Sequence, residues 1–187
     1  MSQTTVRKAS RTAELESINP DHAKLNDAKR LAELIESVRY AMFTSRSADG
    51  ELHARPLTTL KIDQGAHLTL SFLVPAEGDI AREVQADPEV NVSYSSPSKD
   101  IYASIAATAH LDDDVVRKRE LWNAMVQAWF PGGPDDPASV LVVAELHGAE
   151  YWHVEQGKIA QTFQMLKAAA RGKQPELDAE HRKVAAQ

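Results

Sequence analysis

The segment His53-Ala-Arg-Pro-Leu-Thr-Thr59 gathers an imidazole, a guanidinium and two hydroxyls in one short stretch. As a strand it places His53, Arg55, Leu57 and Thr59 on one face, with Leu52, Ala54 and Pro56 on the other. Arg55 then presents a fork of donors suited to a phosphate or to ring carbonyls. Taken on the residues alone, the simpler reading is a surface arginine on an edge strand. Pro56 has no backbone donor, so the strand must be an edge, irregular or bulged at that point. Three tryptophans, Trp122, Trp129 and Trp152, offer flat surfaces for stacking. Trp122 and Trp129 are seven apart, which is ordinary core spacing on a helix. Trp129 also stands just before a Pro/Gly loop, so packing and ring stacking both remain open for it.

Other chemistry is sparse. Neither a glycine fingerprint for dinucleotides nor a phosphate loop occurs, and there is no nucleophile elbow. The seven histidines are scattered. His147 and His153 are separated by an even number of residues, which on a strand puts both on one face, but this matches no helical metal spacing; strand surface and turn is the plainer reading, and no metal is expected. The run Asp112-Asp113-Asp114 suits a helix start, where the dipole favours negative charge. Asp135-Asp136 reads as a loop turn. No residue stands out as a general acid or base.

The elements that would position these groups can be read along the chain. Met1 to Ser17 is polar and aperiodic, a flexible arm. Asn19-Pro20 is a helix start, and Leu31, Leu34, Ile35 and Val38 give that helix an apolar stripe. Strands follow at Tyr40–Ser45, Leu52–Lys61 and His67–Leu73, with Asp49-Gly50 and Asp63-Gln64-Gly65 as turns. A short helix spans Pro75 to Ala86 and stops before Pro88. Val90–Tyr94 and Ile101–Leu111 are the next strands. One helix carries Val115, Trp122, Val126 and Trp129 and ends at Pro131-Gly132-Gly133-Pro134. Val140–Leu146 and Ala149–Val154 are two further strands around His147-Gly148. Ile159 to Ala170 suits a last helix, and 171–187 reads as a flexible polar tail. Six or seven strands joined by tight turns favour antiparallel pairing and partial closure into a barrel. The expected class is α+β, one domain over 18–170.

Composition bounds the partners. The 187 residues are 43% hydrophobic and 26% charged, which fits one globular domain. The net charge of -6 disfavours nucleic acid. There are no cysteines, so disulfides and thiol catalysis are excluded. No apolar run approaches the ~20 residues of a membrane span, and Met1 to Glu16 lacks the apolar stretch of a signal peptide. A cytoplasmic location is expected.

Three segments taken together resemble a known family. They are the Arg55-Pro56 strand, Leu70-Ser-Phe-Leu73 leading to Asp87-Pro88 and its following strand, and Trp129-Phe-Pro-Gly-Gly-Pro-Asp-Asp136 followed by Tyr151-Trp152. Their order, from about Lys24 to Trp152, resembles the general stress protein 26 branch of the pyridoxamine 5′-phosphate oxidase-like split barrels. The resemblance implies an antiparallel split β-barrel with flanking helices, a homodimer, and FMN or FAD at its interface. It also implies that the strand around Arg55 lies along the flavin. Arg55, Pro56, Leu57, Thr58, Thr59, Phe72, Leu73, Val74, Arg82 and Trp129 are then the cofactor-binding candidates. Phe72 serves through its backbone, its side chain being core.

One departure matters. In the family the strand of Leu70 to Leu73 runs into Thr, Ser and a following Lys that grip the FMN phosphate. Here that stretch is Val74-Pro75, Ile80 takes the lysine position, and Arg82 is the nearby cation. Apolar side chains cannot bond phosphate oxygens and Pro75 has no backbone donor. Weak FMN binding, a phosphate re-routed to Arg55 or Arg82, and no flavin at all are three outcomes the resemblance leaves open. The functional expectation is a flavin nucleotide-binding protein of general stress or redox physiology, with flavin-dependent oxidoreductase as its enzymatic form. The alternative is a non-catalytic flavin store or sensor, or a barrel that has lost its cofactor.

Overall fold

The computed structural model describes residues 20–65, 67–154 and 179–185. The arm read over 1–17, Asn19 and the helix read over 159–170 lie outside them. In chain order the elements are α1 (Pro20–Glu36), β1 (Tyr40–Arg46), β2 (Leu52–Thr58), β3 (Lys61–Gln64), β4 (Leu68–Pro75), α2 (Asp79–Ala86), β5 (Glu89–Ser96), β6 (Ile101–Asp112), α3 (Val115–Leu121), α4 (Ala124–Trp129), β7 (Ser139–Val154) and β8 (Ala179–Ala185).

All pairings are antiparallel, and the strands form one sheet in the order β2-β1-β5-β6-β7-β4-β3, with β8 also on β7. The two ends of that path, β2 and β3, are separated in the chain by Thr59 and Leu60 alone. So short a link forces the sheet to curl until its ends meet, which makes a barrel split between β2 and β3. The interior confirms the curl: Phe43 of β1 and Phe72 of β4 meet edge to face at 5.5 Å although three strands, β5, β6 and β7, lie between them along the sheet. Leu60 N donates to Ser71 O at 2.8 Å, so the chain joins β4 immediately after leaving β2. The returning strand read over Leu52–Lys61 is thus two strands with a corner at Thr59–Leu60.

The period-two rows fill this barrel. Leu68, Leu70, Phe72 and Val74 point in from β4, Val90, Val92 and Tyr94 from β5, and Ile101, Ala103, Ile105, Ala107 and Ala109 from β6. Burying each large member contributes roughly 1.5–3 kcal/mol. Leu31, Leu34 and Ile35 of α1 and Ile80 and Val84 of α2 are buried in the same core. At the β1–β2 turn, Gly50 adopts φ +90, a backbone region that glycine occupies without strain.

Three other expectations are corrected. The helix read from Val115 to Trp129 is broken after Leu121. Asn123 caps a new helix, its Oδ1 accepting from the backbone of Met125 at 3.0 Å and Val126 at 3.1 Å. Trp122 therefore sits between helices, half-buried, with Nε1 donating to Gln127 Oε1 at 2.8 Å. It is not a core tryptophan on a shared face with Trp129. The two strands read around His147-Gly148 are one sixteen-residue strand, β7. Ala107 faces Leu146 while Ala106 faces Gly148, so His147 is a bulged extra residue. Inward positions change there from the even set (Val140, Val142, Ala144, Leu146) to the odd set (Ala149, Tyr151). His147 and His153 consequently do not share a face. Finally, part of the polar tail is strand β8, with Val184 4% exposed and Tyr151 Oη donating to Glu180 Oε1 at 2.9 Å. The first half of β7 pairs with β4 and the second half with β8 on the same edge.

Candidate functional site

The edge strand β2 alternates as its sequence requires: Leu52, Ala54 and Pro56 are exposed, and His53, Arg55 and Leu57 are half-buried. Pro56 lies opposite Met42, and no strand pairs with the other edge of β2 among the described residues. Proline is tolerated there because the missing donor breaks no ladder.

Arg55 points toward α2. Its Nη1 donates to Glu83 Oε2 at 2.7 Å and its Nη2 to Glu83 Oε1 at 2.9 Å, a bidentate pair. Ser45 Oγ, fully buried on β1, donates to the same Oε2 at 2.6 Å and accepts from Arg55 Nη1 at 3.3 Å. His53 Nδ1 stands 3.4 Å from Arg55 Nη2, and Asp79 Oδ2 is 4.0 Å from it. The Arg55 hydrogen bonds, aided by Ser45, hold the Glu83 carboxyl below the ordinary glutamate range despite its burial. Glu83 in turn raises the Arg55 guanidinium.

Past Leu57 the strand turns into a cleft of about 460 Å3, between the end of α1, the β2–β3 corner and Met125 of α4. Thr58 and Thr59 line it together with the apolar Ile35 and Val38 and the cationic Arg39 and Lys61. Thr59 Oγ1 and Tyr94 Oη are 2.7 Å apart. Burial pushes the Tyr94 hydroxyl up to about 12, so it stays protonated at neutral pH. Arg39 Nη2 contacts Met125 Sδ at 3.4 Å, and its guanidinium lies 5.1 Å over the Tyr40 ring.

The remaining candidates are dispersed in the single chain. Phe72 and Val74 are inside the barrel, while Leu73 is half-buried on the other face of β4. Arg82 is largely exposed and is tied to Asp79 and to the Glu77 carbonyl. Ile80 is in the core, which explains an apolar side chain at that place. Trp129 ends α4 with 80% of its surface exposed. The structure therefore brings Arg55 together with Glu83, Ser45 and His53, and Thr58 with Thr59, and leaves Trp129 apart. Glu83 and Ser45 were not among the candidates. Their signal was a polar residue in each of two apolar rows, Ala41-Phe43-Ser45 on β1 and Ile80-Glu83-Val84 on α2.

The outer face of the sheet carries a different surface. Thr58 faces Tyr40 on one side, and Ser95, Tyr102, Trp152 and His181 face each other in turn across β5 to β8. Tyr40, Met42, Tyr102 and Trp152 are exposed there among small residues such as Ser93 and Ser104. Trp152 stacks on His181 at 5.0 Å and 7°.

A family profile described as pyridoxamine 5′-phosphate oxidase like matches residues 26–176, most of the chain. The chain belongs to this family. The Neurospora crassa protein bli-3 is 28% identical over 150 residues, covering 74% of this chain and 69% of its own. Among solved structures, a general stress protein 26 candidate from Jannaschia sp. CCS1 superposes with a TM-score of 0.70 at 24% identity, covering 87% of this chain and 99% of its own. That likeness shows the fold. The general stress FMN/FAD binding protein of Xanthomonas citri is 27% identical with a TM-score of 0.59, covering 70% of this chain and 90% of its own. The split-barrel, α+β class of this pyridoxamine 5′-phosphate oxidase-like protein follows from both the sheet and these neighbours. No described helix is long and apolar enough to cross a membrane, and no metal-ligating cluster occurs among the described residues.

Proposed function

We propose that this protein binds a flavin nucleotide, FMN or FAD, with the isoalloxazine ring along β2 at the interface of a homodimer. The observation that carries this reading is the position of β2 in a family with flavin-binding relatives. It ends the sheet, so its backbone from Leu57 to Thr59 has polar groups to offer a ring edge. Pro56, Leu57, Thr58 and Thr59 would border the ring, with the half-buried face of β4 at Leu73 nearby in the chain fold. The partner subunit's Trp129 would close the site, which gives its exposed indole a role. The outer aromatic row from Tyr40 to Trp152 supplies apolar surface for an isologous interface. When bound, the flavin supplies redox chemistry, and the chain's own residues bind and orient it.

The physiological setting we infer is the general stress or redox response in the cytoplasm, supported by the named relatives and by a chain without cysteine. Flavin-dependent oxidoreductase is one form of this function. A non-catalytic flavin store or sensor is the other, and a specific observation favours it: the titratable groups beside β2 are paired with one another. His53 lies 3.6 Å from Glu51 and 3.8 Å from Glu83, and Arg55 is held by Glu83. A visible spectrum of the purified protein, before and after adding flavin, tests binding; a shifted flavin band is expected. Steady bleaching and reoxidation with a nicotinamide reductant would assign an oxidoreductase, and bound but inert flavin would assign a store.

A further inference from the structure

We infer that Glu83 and Asp79 set the ligand specificity of this site: by neutralising Arg55 they favour the flavin ring and ribityl chain and give no advantage to a terminal phosphate monoester. This rests on the reading that flavin lies along β2. The guanidinium of Arg55 is the fork of cationic donors on that strand. Glu83 occupies both of its terminal nitrogens at 2.7 and 2.9 Å, Ser45 and His53 stand at 3.3 and 3.4 Å, and Asp79 adds a second carboxylate at 4.0 Å. Arg82, the other cation in reach of this corner, is bound to that same Asp79. Two cations therefore face two carboxylates, and Glu51 adds a third beside His53.

A phosphate dianion entering here would have to displace Glu83, whose side chain is 9% exposed. That would leave a carboxylate without its partner at a depth where water replaces it poorly. The neighbouring groups do not compensate. Ile80 belongs to the core, Pro75 has no N–H, and the Gly78 N–H is given to Pro75 O at 3.0 Å. The corner is thus an internally satisfied ion-pair cluster with no donor left over for a phosphate among the groups named.

The test is a fluorescence-quenching titration of the full chain with riboflavin, FMN and FAD. It compares wild type with Glu83→Gln and Asp79→Asn, each checked for folding by thermal melting. Wild type should bind FMN within a few-fold of riboflavin. Glu83→Gln should raise the preference for FMN over riboflavin by about tenfold, because a freed Arg55 makes a charge-assisted bond to phosphate, and 0.5 M salt should erode that gain. Asp79→Asn, on a largely exposed side chain, should move the ratio the same way by a smaller factor. It keeps the test valid if Glu83→Gln does not fold. A wild-type preference for FMN of a hundredfold or more, or a ratio unmoved by the folded variants, would overturn this inference while leaving flavin binding intact. Quenching by none of the three flavins would overturn the binding site and the specificity with it.

Discussion

At the scale of single residues, the Arg55–Glu83 pair joins β2 to α2 and reaches β1 through Ser45. Breaking it leaves a buried carboxylate or a partly buried guanidinium without its partner. Arg55 is 27% exposed and can recover water. Glu83→Gln should therefore cost about 1–3 kcal/mol, read as a lower midpoint in urea. The pH dependence has a definite sign. The Glu83 carboxyl titrates lower in the folded chain than its ordinary value of 4.5, chiefly through Arg55. Its stabilisation is complete above that ordinary value and is lost as pH falls through the lowered one. Acid melts of wild type should show this loss, and Glu83→Gln should lack its share of it; identical acid sensitivity would mean the pair does not stabilise the fold. Inside the barrel, Phe72→Ala removes one ring of the Phe43–Phe72 contact and should cost about 3–5 kcal/mol by the same measurement.

At the scale of elements, β7 decides which residues face the core. The bulge at His147 changes its inward set, so Leu146 and Tyr151 are both buried although their parity differs. Deleting His147 would leave Leu146, Ala149 and Tyr151 on one face of an unbulged strand, so the cooperative thermal melt should survive. Inserting one alanine after Gly148 should instead turn Ala149 and Tyr151 outward and abolish that melt. β8 covers the second half of β7. Burial and Glu180 push the Tyr151 hydroxyl pKa up, so it is the donor in that bond. Ending the chain before Ala179 removes Val184 from the core and this bond, and should cost roughly 2–4 kcal/mol. A truncated protein with an unchanged melting midpoint would show that β8 adds nothing.

At the scale of the whole molecule, the rows that fill the barrel were readable from the sequence because strands with one buried face alternate strictly. Leu68 to Val74 and Val90 to Tyr94 do so without interruption. The corner at Thr59–Leu60 was not readable, since Thr and Leu continue the strand pattern and the turn is fixed by pairing with β4. The helix break was readable in principle from Asn123, a good N-cap, but the seven-residue spacing of the tryptophans outweighed it. β8 was hidden because a polar strand with one core residue resembles a tail. For the site, the Arg-Pro strand was legible as a place. The partner of Arg55 was not, because a carboxylate on a short helix has no spacing signal toward a distant strand. The aromatic outer face and the exposed Trp129 lead us to expect twice the 20.6 kDa chain mass in light scattering, with Trp129→Ala weakening association while the barrel stays folded.

Flavin lying along β2 between two subunits, as proposed, must shield the backbone it covers. Hydrogen–deuterium exchange with and without saturating riboflavin tests it most directly, because it reports backbone protection segment by segment. Exchange should slow in the segment from Leu57 to Leu60 and around Trp129, with the strands of the barrel interior unchanged. Bound riboflavin that left both segments unprotected would contradict that placement.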